Sequence, residues 1–176
     1  MKVRFSLIFL LPFFVVTAAY GQQTTNKPPG EQWFMDMGFG MFIHWSMDSQ
    51  AGAVISHSMA GASEDYLQRF IYELPKTFNP RKFYPDDWAT LAKLSGMKYV
   101  VFTAKHHSGF CMWDTKTTEF NIMNTPFKRD ILKEVLEAFR KQGLATGIYF
   151  SPEDFHFFHE NNIPVGRLQN PQHFPV

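Results

Sequence analysis

Three short apolar runs along the chain have the pattern of buried β-strands. They are residues 39–45, 99–104 and 144–151. The middle run is β-branched and aromatic without alternation, which is typical of a strand buried on both faces of a parallel sheet. Alternation in the first run places Gly40, Phe42 and His44 on one face and Trp45 on the other. The pattern therefore predicts three strands.

Apolar residues at helical spacing lie between these runs and predict helices. The first helix ends at Pro75, and its apolar positions are Tyr66, Leu67, Phe70, Ile71 and Leu74. The second follows Pro85 and ends at Gly96, and its predicted buried face comprises Trp88, Leu91, Ala92 and Leu94. The third runs from an Asp130 cap to Gly143, with apolar positions at Ile131, Leu132, Val135, Leu136 and Phe139. We expect a short helical or irregular segment at 33–36 and loops at 46–62 and from Pro152 onward.

The order strand, helix, strand, helix, strand predicts an α/β fold with a parallel sheet. Polar side chains follow all three strands at the same end, at His44, then Lys105, His106 and His107, then Tyr149 and Ser151. Ligands bind at this edge in parallel α/β folds, and the pattern fits a (β/α)8 TIM barrel. Such a barrel takes about 250 residues. We therefore expect this 176-residue chain to form an incomplete TIM barrel of about the first three βα units.

The N-terminus has the pattern of a secretory signal peptide. Lys2 and Arg4 precede an apolar run at residues 7–16, and small residues precede an expected cleavage site after Gly21. We predict a signal peptide at 1–21, a polar, proline-rich linker or tail at 22–30 and a folded portion at 31–176. The expected location is secreted or periplasmic, or lysosomal in a eukaryote, with no membrane attachment after cleavage.

Composition narrows the choice of ligand. A net charge of +1 argues against nucleic acid as a partner. The one cysteine, Cys111, has no internal disulfide partner and is expected to fill the core. The chain has 20 Phe and 4 Trp, and such an aromatic excess favours either a large core or a surface that stacks on flat apolar faces such as those of sugars.

Several segments resemble the α-L-fucosidases of glycoside hydrolase family 29. They are residues 39–45, 85–88, 92–93, 96–101, 103–113, 124–130 and 147–152. They follow the family's order and spacing from about residue 31 to 154. The resemblance implies that residues 31–176 are the N-terminal portion of a glycosidase barrel that removes terminal α-L-fucose with retention of configuration. It also implies a fucosylated glycan as substrate. We expect no cofactor or metal.

The resemblance also implies a set of sugar-binding residues. Carried over by position, they are His44, His106, His107 and Tyr149. Neutral imidazoles and a phenol beside aromatic rings suit a sugar that has hydroxyls, a methyl group and an apolar ring face. Trp45 and Trp113 could stack on the sugar or belong to the core. His57 is a weaker candidate, because the loop that contains it departs from the family's usual Glu-Trp-Tyr segment.

Other positions also depart from the family pattern, or offer a different chemistry. Ser108 replaces the usual Asp after the histidine pair, and Phe150 replaces the second Tyr of the Tyr-Tyr-Ser motif. His156 and His159 have the spacing of two metal ligands on a helix, but a zinc site needs three or four ligands. We expect no metal there.

Retaining hydrolysis needs two carboxyl groups about 5 to 5.5 Å apart. In the family both follow later strands, so the resemblance places them beyond Val176 and leaves no catalytic residue in this chain. Carboxylates near the strand ends do not match the family positions and are not assigned to catalysis; they are Asp48, Asp114, Glu153 and Asp154.

Two hypotheses follow. The chain is the N-terminal part of an α-L-fucosidase and is inactive alone, or it is a non-catalytic carbohydrate-binding or assembly subunit. Unpaired strand edges would favour an oligomer or pairing with a missing C-terminal part.

Overall fold

The computed structural model describes residues 30–164. Its helices and strands, in chain order, are α1 (Glu31–Met37), β1 (Gly40–Ile43), α2 (Glu64–Tyr72), α3 (Pro85–Leu94), β2 (Tyr99–Lys105), α4 (Ile131–Lys141), β3 (Ala145–Phe150) and α5 (Phe155–Glu160). Short 3-10 turns lie at Met47–Ala51, Leu74–Thr77 and Ile122–Asn124. The predicted signal peptide, nearly all of the predicted linker and the end of the predicted folded portion lie outside the described residues.

The three strands form one parallel sheet in the order β1-β2-β3. In its register Gly40 pairs with Tyr99, which pairs with Ala145. The Tyr99 ring lies against Gly40 so closely that a side chain at that position would overlap it. The predicted α/β fold with a parallel sheet is therefore confirmed, and the strands lie close to their predicted positions.

The main core lies between the sheet and the helices. Val100, Phe102 and Ala104 point to this side of β2 and are buried. Ala89 and Ala92 of α3 are fully buried, as are Ile131, Val135 and Phe139 of α4. This packing confirms the predicted apolar face of α4.

The predicted buried face of α3 is wrong at two positions. Leu91 is 59% exposed and Leu94 is 82% exposed, whereas Ala89 is fully buried. Small side chains let a helix backbone approach its neighbours closely, so the alanines form the contact. The leucines therefore lie on the outer side of α3 in the described part of the chain.

Local interactions and backbone conformation explain where α3 begins and where α4 begins and ends. The Asp130 side chain accepts a hydrogen bond from the Lys133 N–H at 2.8 Å, which satisfies a free amide at the start of α4. Gly143 has φ of 72°, which suits the residue after a helix. Pro85 begins α3, where its missing N–H removes no helical bond.

Residues 155–160 form a helix, so the predicted loop from Pro152 onward is wrong there. Asp154 caps α5, because its carboxylate accepts from the Phe157 N–H at 2.9 Å. Phe155 is buried and anchors the first turn. The capping residue and the apolar anchor together explain why so short a segment is helical.

Cys111 is buried, as predicted, and its Sγ lies 3.5 Å from the Gly109 carbonyl oxygen. Burial raises the pKa of its thiol to about 12, so the thiol stays protonated. In the described part of the chain, no helix is both long and apolar enough to cross a bilayer.

Candidate sugar-binding site

Three aromatic side chains meet at the carboxyl ends of the three strands. The ring centroids of His44 and Tyr149 are 5.2 Å apart, and those of His44 and His106 are 5.4 Å apart. The His106 and Tyr149 centroids are 5.0 Å apart. The chain therefore brings together side chains from β1, β2 and β3 that are far apart in sequence.

His44 follows β1 and faces the inner side of the sheet, the side opposite the helices. Its Nδ1 lies 3.2 Å from the hydroxyl oxygen of Thr103, a fully buried residue of β2. The Phe42 ring, two residues earlier on the same face, lies 4.2 Å from the His44 ring and 5.8 Å from the Tyr149 ring. An apolar ring thus adjoins the polar groups.

His106 is held as a neutral ring. It is 4% exposed, and its Nδ1 accepts a hydrogen bond from the His107 backbone N–H at 2.9 Å. Burial, with a smaller effect from nearby His107 and His44, lowers the His106 pKa to about 4. The single proton of the neutral ring is therefore on Nε2.

His107 turns toward the segment that follows β3. Its Nδ1 lies 2.6 Å from Ser151 Oγ and 3.1 Å from Glu153 Oε2. Its ring stacks on Phe155 at 5.4 Å and 20°. The His107 ring centroid lies 4.6 Å from that of His106, so His107 adjoins the group of three rings. Burial lowers the His107 pKa, and Glu153 partly offsets that effect.

Backbone geometry allows both adjacent histidines to lie near the strand ends. The pairing of β2 with β3 is irregular between Thr103 and Lys105, which changes the direction of the strand end. β2 then ends at Lys105, and Gly109 has φ of 88° in the turn that follows. Successive strand residues point to opposite faces, so this turn is what keeps the pair together.

Lys105 was predicted among the ligand-capable residues, but its side chain is used within the protein. It is buried, and its Nζ donates to the Glu153 carbonyl oxygen at 3.0 Å and to Asp154 at 3.2 Å. The ammonium group also lies 4.9 Å from the Phe150 ring centroid. These bonds tie the end of β2 to the segment after β3.

The weaker candidates lie outside the group of three rings. Trp45 packs on the core side against Phe78, Phe83 and Trp88, with centroids 5.7 to 5.9 Å away. Trp113 lies 6.3 Å from Phe150. His57 is exposed and hydrogen-bonds Ser56 at 2.7 Å, yet it is near enough to lower the pKa values of both His106 and His107.

A sequence model of the α-L-fucosidases matches residues 17–168. The chain belongs to the α-L-fucosidase family. Rat tissue α-L-fucosidase is 33% identical over 76% of this chain, a stretch that covers 32% of the rat protein.

Solved structures of α-L-fucosidases are also similar to this chain. A family 29 α-L-fucosidase from Bacteroides thetaiotaomicron is 37% identical, with a TM-score of 0.60 over 73% of this chain and 31% of that chain. An α-L-fucosidase from Paenibacillus thiaminolyticus is 40% identical, with a TM-score of 0.61 over 71% of this chain and 29% of that chain. This chain thus spans about a third of the length of the family members it matches.

Histidines outside the strand ends have separate partners. His156 Nε2 lies 3.7 Å from Glu160, and His159 Nε2 lies 3.7 Å from Glu64 and 3.4 Å from Gln68. His156 and His159, which have the spacing of two metal ligands, therefore face different acidic side chains. Among residues 30–164, no three His, Cys, Asp or Glu side chains are grouped so as to hold a metal ion.

The carboxylates near the strand ends also have defined surroundings. Glu153 faces His107, and Asp154 faces Lys105 and caps α5. Asp48 is buried, which raises its pKa, and the Ser58 and Ser46 hydroxyls partly offset this.

Sequence reasoning placed Ser151 and Glu153 near the strand ends but did not predict their contacts with His107, and it missed Thr103. The polar residues at and just after the end of the third strand were the signal for Ser151 and Glu153, whereas nothing in the sequence linked Thr103 to His44.

Proposed function

We propose that this chain is the N-terminal portion of a retaining α-L-fucosidase with a (β/α)8 barrel, and that His44, His106, His107 and Tyr149 bind the fucosyl group. The observation that carries the proposal is the approach of His44, His106 and Tyr149 to within 5.0 to 5.4 Å at the ends of three parallel strands. Family membership supports the same sugar.

The chemistry of the group suits a 6-deoxy sugar. Hydroxyls of the sugar need donors and acceptors, and neutral imidazoles with a phenol supply both without a net charge. The methyl group needs an apolar partner. Phe42 is 54% exposed beside His44 and Tyr149, so it is the surface that we assign to the methyl group.

Catalysis would require groups from the part of the family that this chain does not span. Retaining cleavage needs a nucleophile and an acid/base flanking the anomeric carbon. We infer that both belong to later strands, which would also complete the barrel. The proposal includes a signal peptide at 1–21, a linker or tail at 22–30, and secretion, export to the periplasm or delivery to lysosomes.

A non-catalytic carbohydrate-binding or assembly subunit is the second candidate. Ile148 and Phe150 on the outer face of β3 are 54% and 55% exposed, and Leu94 of α3 is more exposed still. Apolar surface of this kind favours association with another polypeptide. Under this hypothesis the chain would bind a fucosylated glycan in an oligomer.

The proposal is tested by sugar binding and by turnover. We expect the chain to bind L-fucose more tightly than L-galactose, which differs only in having a hydroxyl on the methyl carbon. Titration calorimetry measures both affinities. His106→Ala should weaken L-fucose binding by roughly fivefold or more, since a lost hydrogen bond at a buried site costs about 1 to 3 kcal/mol.

Two controls make the result specific. His159→Ala removes a histidine from α5 that contacts Glu64 and Gln68, and it should leave binding unchanged. An aryl α-L-fucoside should not be cleaved by this chain alone, and turnover would contradict our location of the nucleophile. Equal affinity for L-fucose and L-galactose would contradict the assigned sugar.

A further inference from the structure

His106 and His107 are adjacent, yet the protein contacts them in opposite ways. His106 Nδ1 accepts a hydrogen bond from the His107 backbone N–H at 2.9 Å. A ring nitrogen that accepts this bond carries no proton, so the neutral ring has its proton on Nε2. His106 therefore presents a hydrogen-bond donor at its second nitrogen.

The charge beside His107 favours the other tautomer. Glu153 Oε2 lies 3.1 Å from His107 Nδ1. A carboxylate oxygen only accepts, and it would repel an unprotonated nitrogen at this distance, so the proton belongs on Nδ1. Ser151 Oγ lies 2.6 Å from the same nitrogen, but a hydroxyl both donates and accepts and so does not decide the tautomer.

The segment that carries Glu153 is fixed against β2 and the turn after it. The Ser151 N–H donates to the Lys105 carbonyl oxygen at 3.0 Å, and the Phe155 N–H donates to the His107 carbonyl oxygen at 2.7 Å. Between them, Lys105 Nζ donates to the Glu153 carbonyl oxygen at 3.0 Å. These three bonds involve a residue before Glu153, Glu153 itself and a residue after it. Together they hold the Glu153 backbone beside His107.

We propose that Glu153 is a positioning residue that keeps the proton of His107 on Nδ1, so that the histidine pair presents one donor and one acceptor to its ligand. The link to a fucosyl group rests on the proposed function, whereas the tautomer does not. A ligand that fits this pair has one hydroxyl that accepts from His106 and another that donates to His107. Two histidines of the same tautomer would not make this distinction.

The tautomers are measured directly by nitrogen-15 NMR of the histidine-labelled chain at pH 7.5 without ligand. In such spectra the unprotonated ring nitrogen resonates well downfield of the protonated one. We expect the downfield nitrogen to be Nε2 in His107 and Nδ1 in His106. His106 serves as an internal reference for a folded site, because its partner is a backbone amide.

Two substitutions separate Glu153 from its neighbour. In Glu153→Leu no carboxylate faces Nδ1, so the Ser151 hydroxyl can donate to that nitrogen and the His107 proton is expected to move to Nε2 while His106 stays unchanged. Ser151→Ala is expected to leave both tautomers unchanged. Glu160→Leu is the matched control, because Glu160 lies in α5 beside His156 at 3.7 Å and should affect neither ring of the pair.

Sugar binding then tests the consequence. Glu153→Leu should bind L-fucose about tenfold more weakly, which corresponds to ~1.4 kcal/mol. Among monodeoxyfluoro L-fucoses, whose fluorine cannot donate, the one altered at the hydroxyl facing His107 should lose less affinity in this variant than in the parent chain.

The inference is overturned if His107 carries its proton on Nε2 in the parent chain, if Glu153→Leu leaves it on Nδ1, or if Ser151→Ala moves it. These outcomes are distinct from failure of the proposed function. A chain with the expected tautomers that binds no L-fucose would contradict the function and leave the role of Glu153 intact.

Discussion

Alternate residues of β2 face two different surroundings. Val100, Phe102 and Ala104 lie under α3 and α4 and are no more than 2% exposed, whereas Thr103 points to the inner face, where its hydroxyl meets His44. The helix side is apolar and closely packed, and the inner side has polar groups and exposed rings. Stability and the proposed ligand recognition thus depend on alternate residues of the same strands, so the two properties can be altered separately.

The largest expected effect is on the helix side. Phe102→Ala should lower the free energy of unfolding by about 3 to 5 kcal/mol, because it leaves a cavity in a fully buried position. Phe42→Ala on the inner face should cost about 1 kcal/mol, because that ring is already half exposed. Urea unfolding measures both, and equal losses would mean that the two faces do not differ as described.

The second prediction concerns the inner face and is tested by measuring the free energy of unfolding as a function of pH. The His106 pKa is lowered from 6.5 to about 4 on folding, so between these values the unfolded chain binds more protons than the folded chain. The free energy of unfolding should therefore fall as the pH drops from 6.5 to 4. At 1.36 kcal/mol per pH unit the loss from this residue is about 3 kcal/mol.

His106→Gln separates this loss from those of other groups. The variant should show a flatter pH dependence in the same range, although His107 and His156, whose pKa values are also lowered, keep their contributions. Identical slopes for parent and variant would show that His106 is not a buried neutral ring.

A smaller effect is expected where the turn after β2 meets the segment after β3. Gly109→Ala should cost about 2 to 3 kcal/mol, because φ is 88° and an added Cβ would overlap the Asp154 carboxylate. Gly143→Ala is the matched control. It also has positive φ, 72°, but has open space around it, and should cost about 1 kcal/mol. Thermal unfolding of both variants measures the difference, and a cost at Gly109 no larger than that at Gly143 would rule out the overlap.

The smallest expected effect is a loss of L-fucose affinity when the Thr103 hydroxyl is removed. Thr103→Val removes the partner of His44 Nδ1 while keeping the shape of the side chain, so L-fucose binding should weaken by about 1 kcal/mol, roughly fivefold. Thr146→Val is the control, since Thr146 pairs with Val100 and faces the helix side. Calorimetry of the two variants would show comparable binding only if Thr103 has no role at the site.

The fold could be predicted from the sequence wherever local patterns and packing agree. The apolar runs gave the strands, and Asp130 and Gly143 marked the ends of α4 because capping is a local interaction. The predicted face of α3 failed, since spacing cannot tell that Ala89 rather than Leu91 makes the close contact. Helix α5 was missed because its capping signal, Asp154, precedes only six helical residues.

The candidate site could also be predicted from the sequence only in part. Strand order and the shared position of polar residues were enough to predict that His44, His106 and Tyr149 lie together. The predictions could not include the Thr103 contact or the Glu153 contact, because each depends on the register between strands or on the path of a loop. The role of a histidine in binding depends on such partners as much as on its position.

The segment from Ser151 to Phe155 makes backbone or side-chain bonds to Lys105 and His107 at several successive positions. Surface connections usually tolerate insertions and deletions, but here one residue added or removed would shift all of these bonds out of register at once. The length of this connection is therefore fixed more strictly than its residue types.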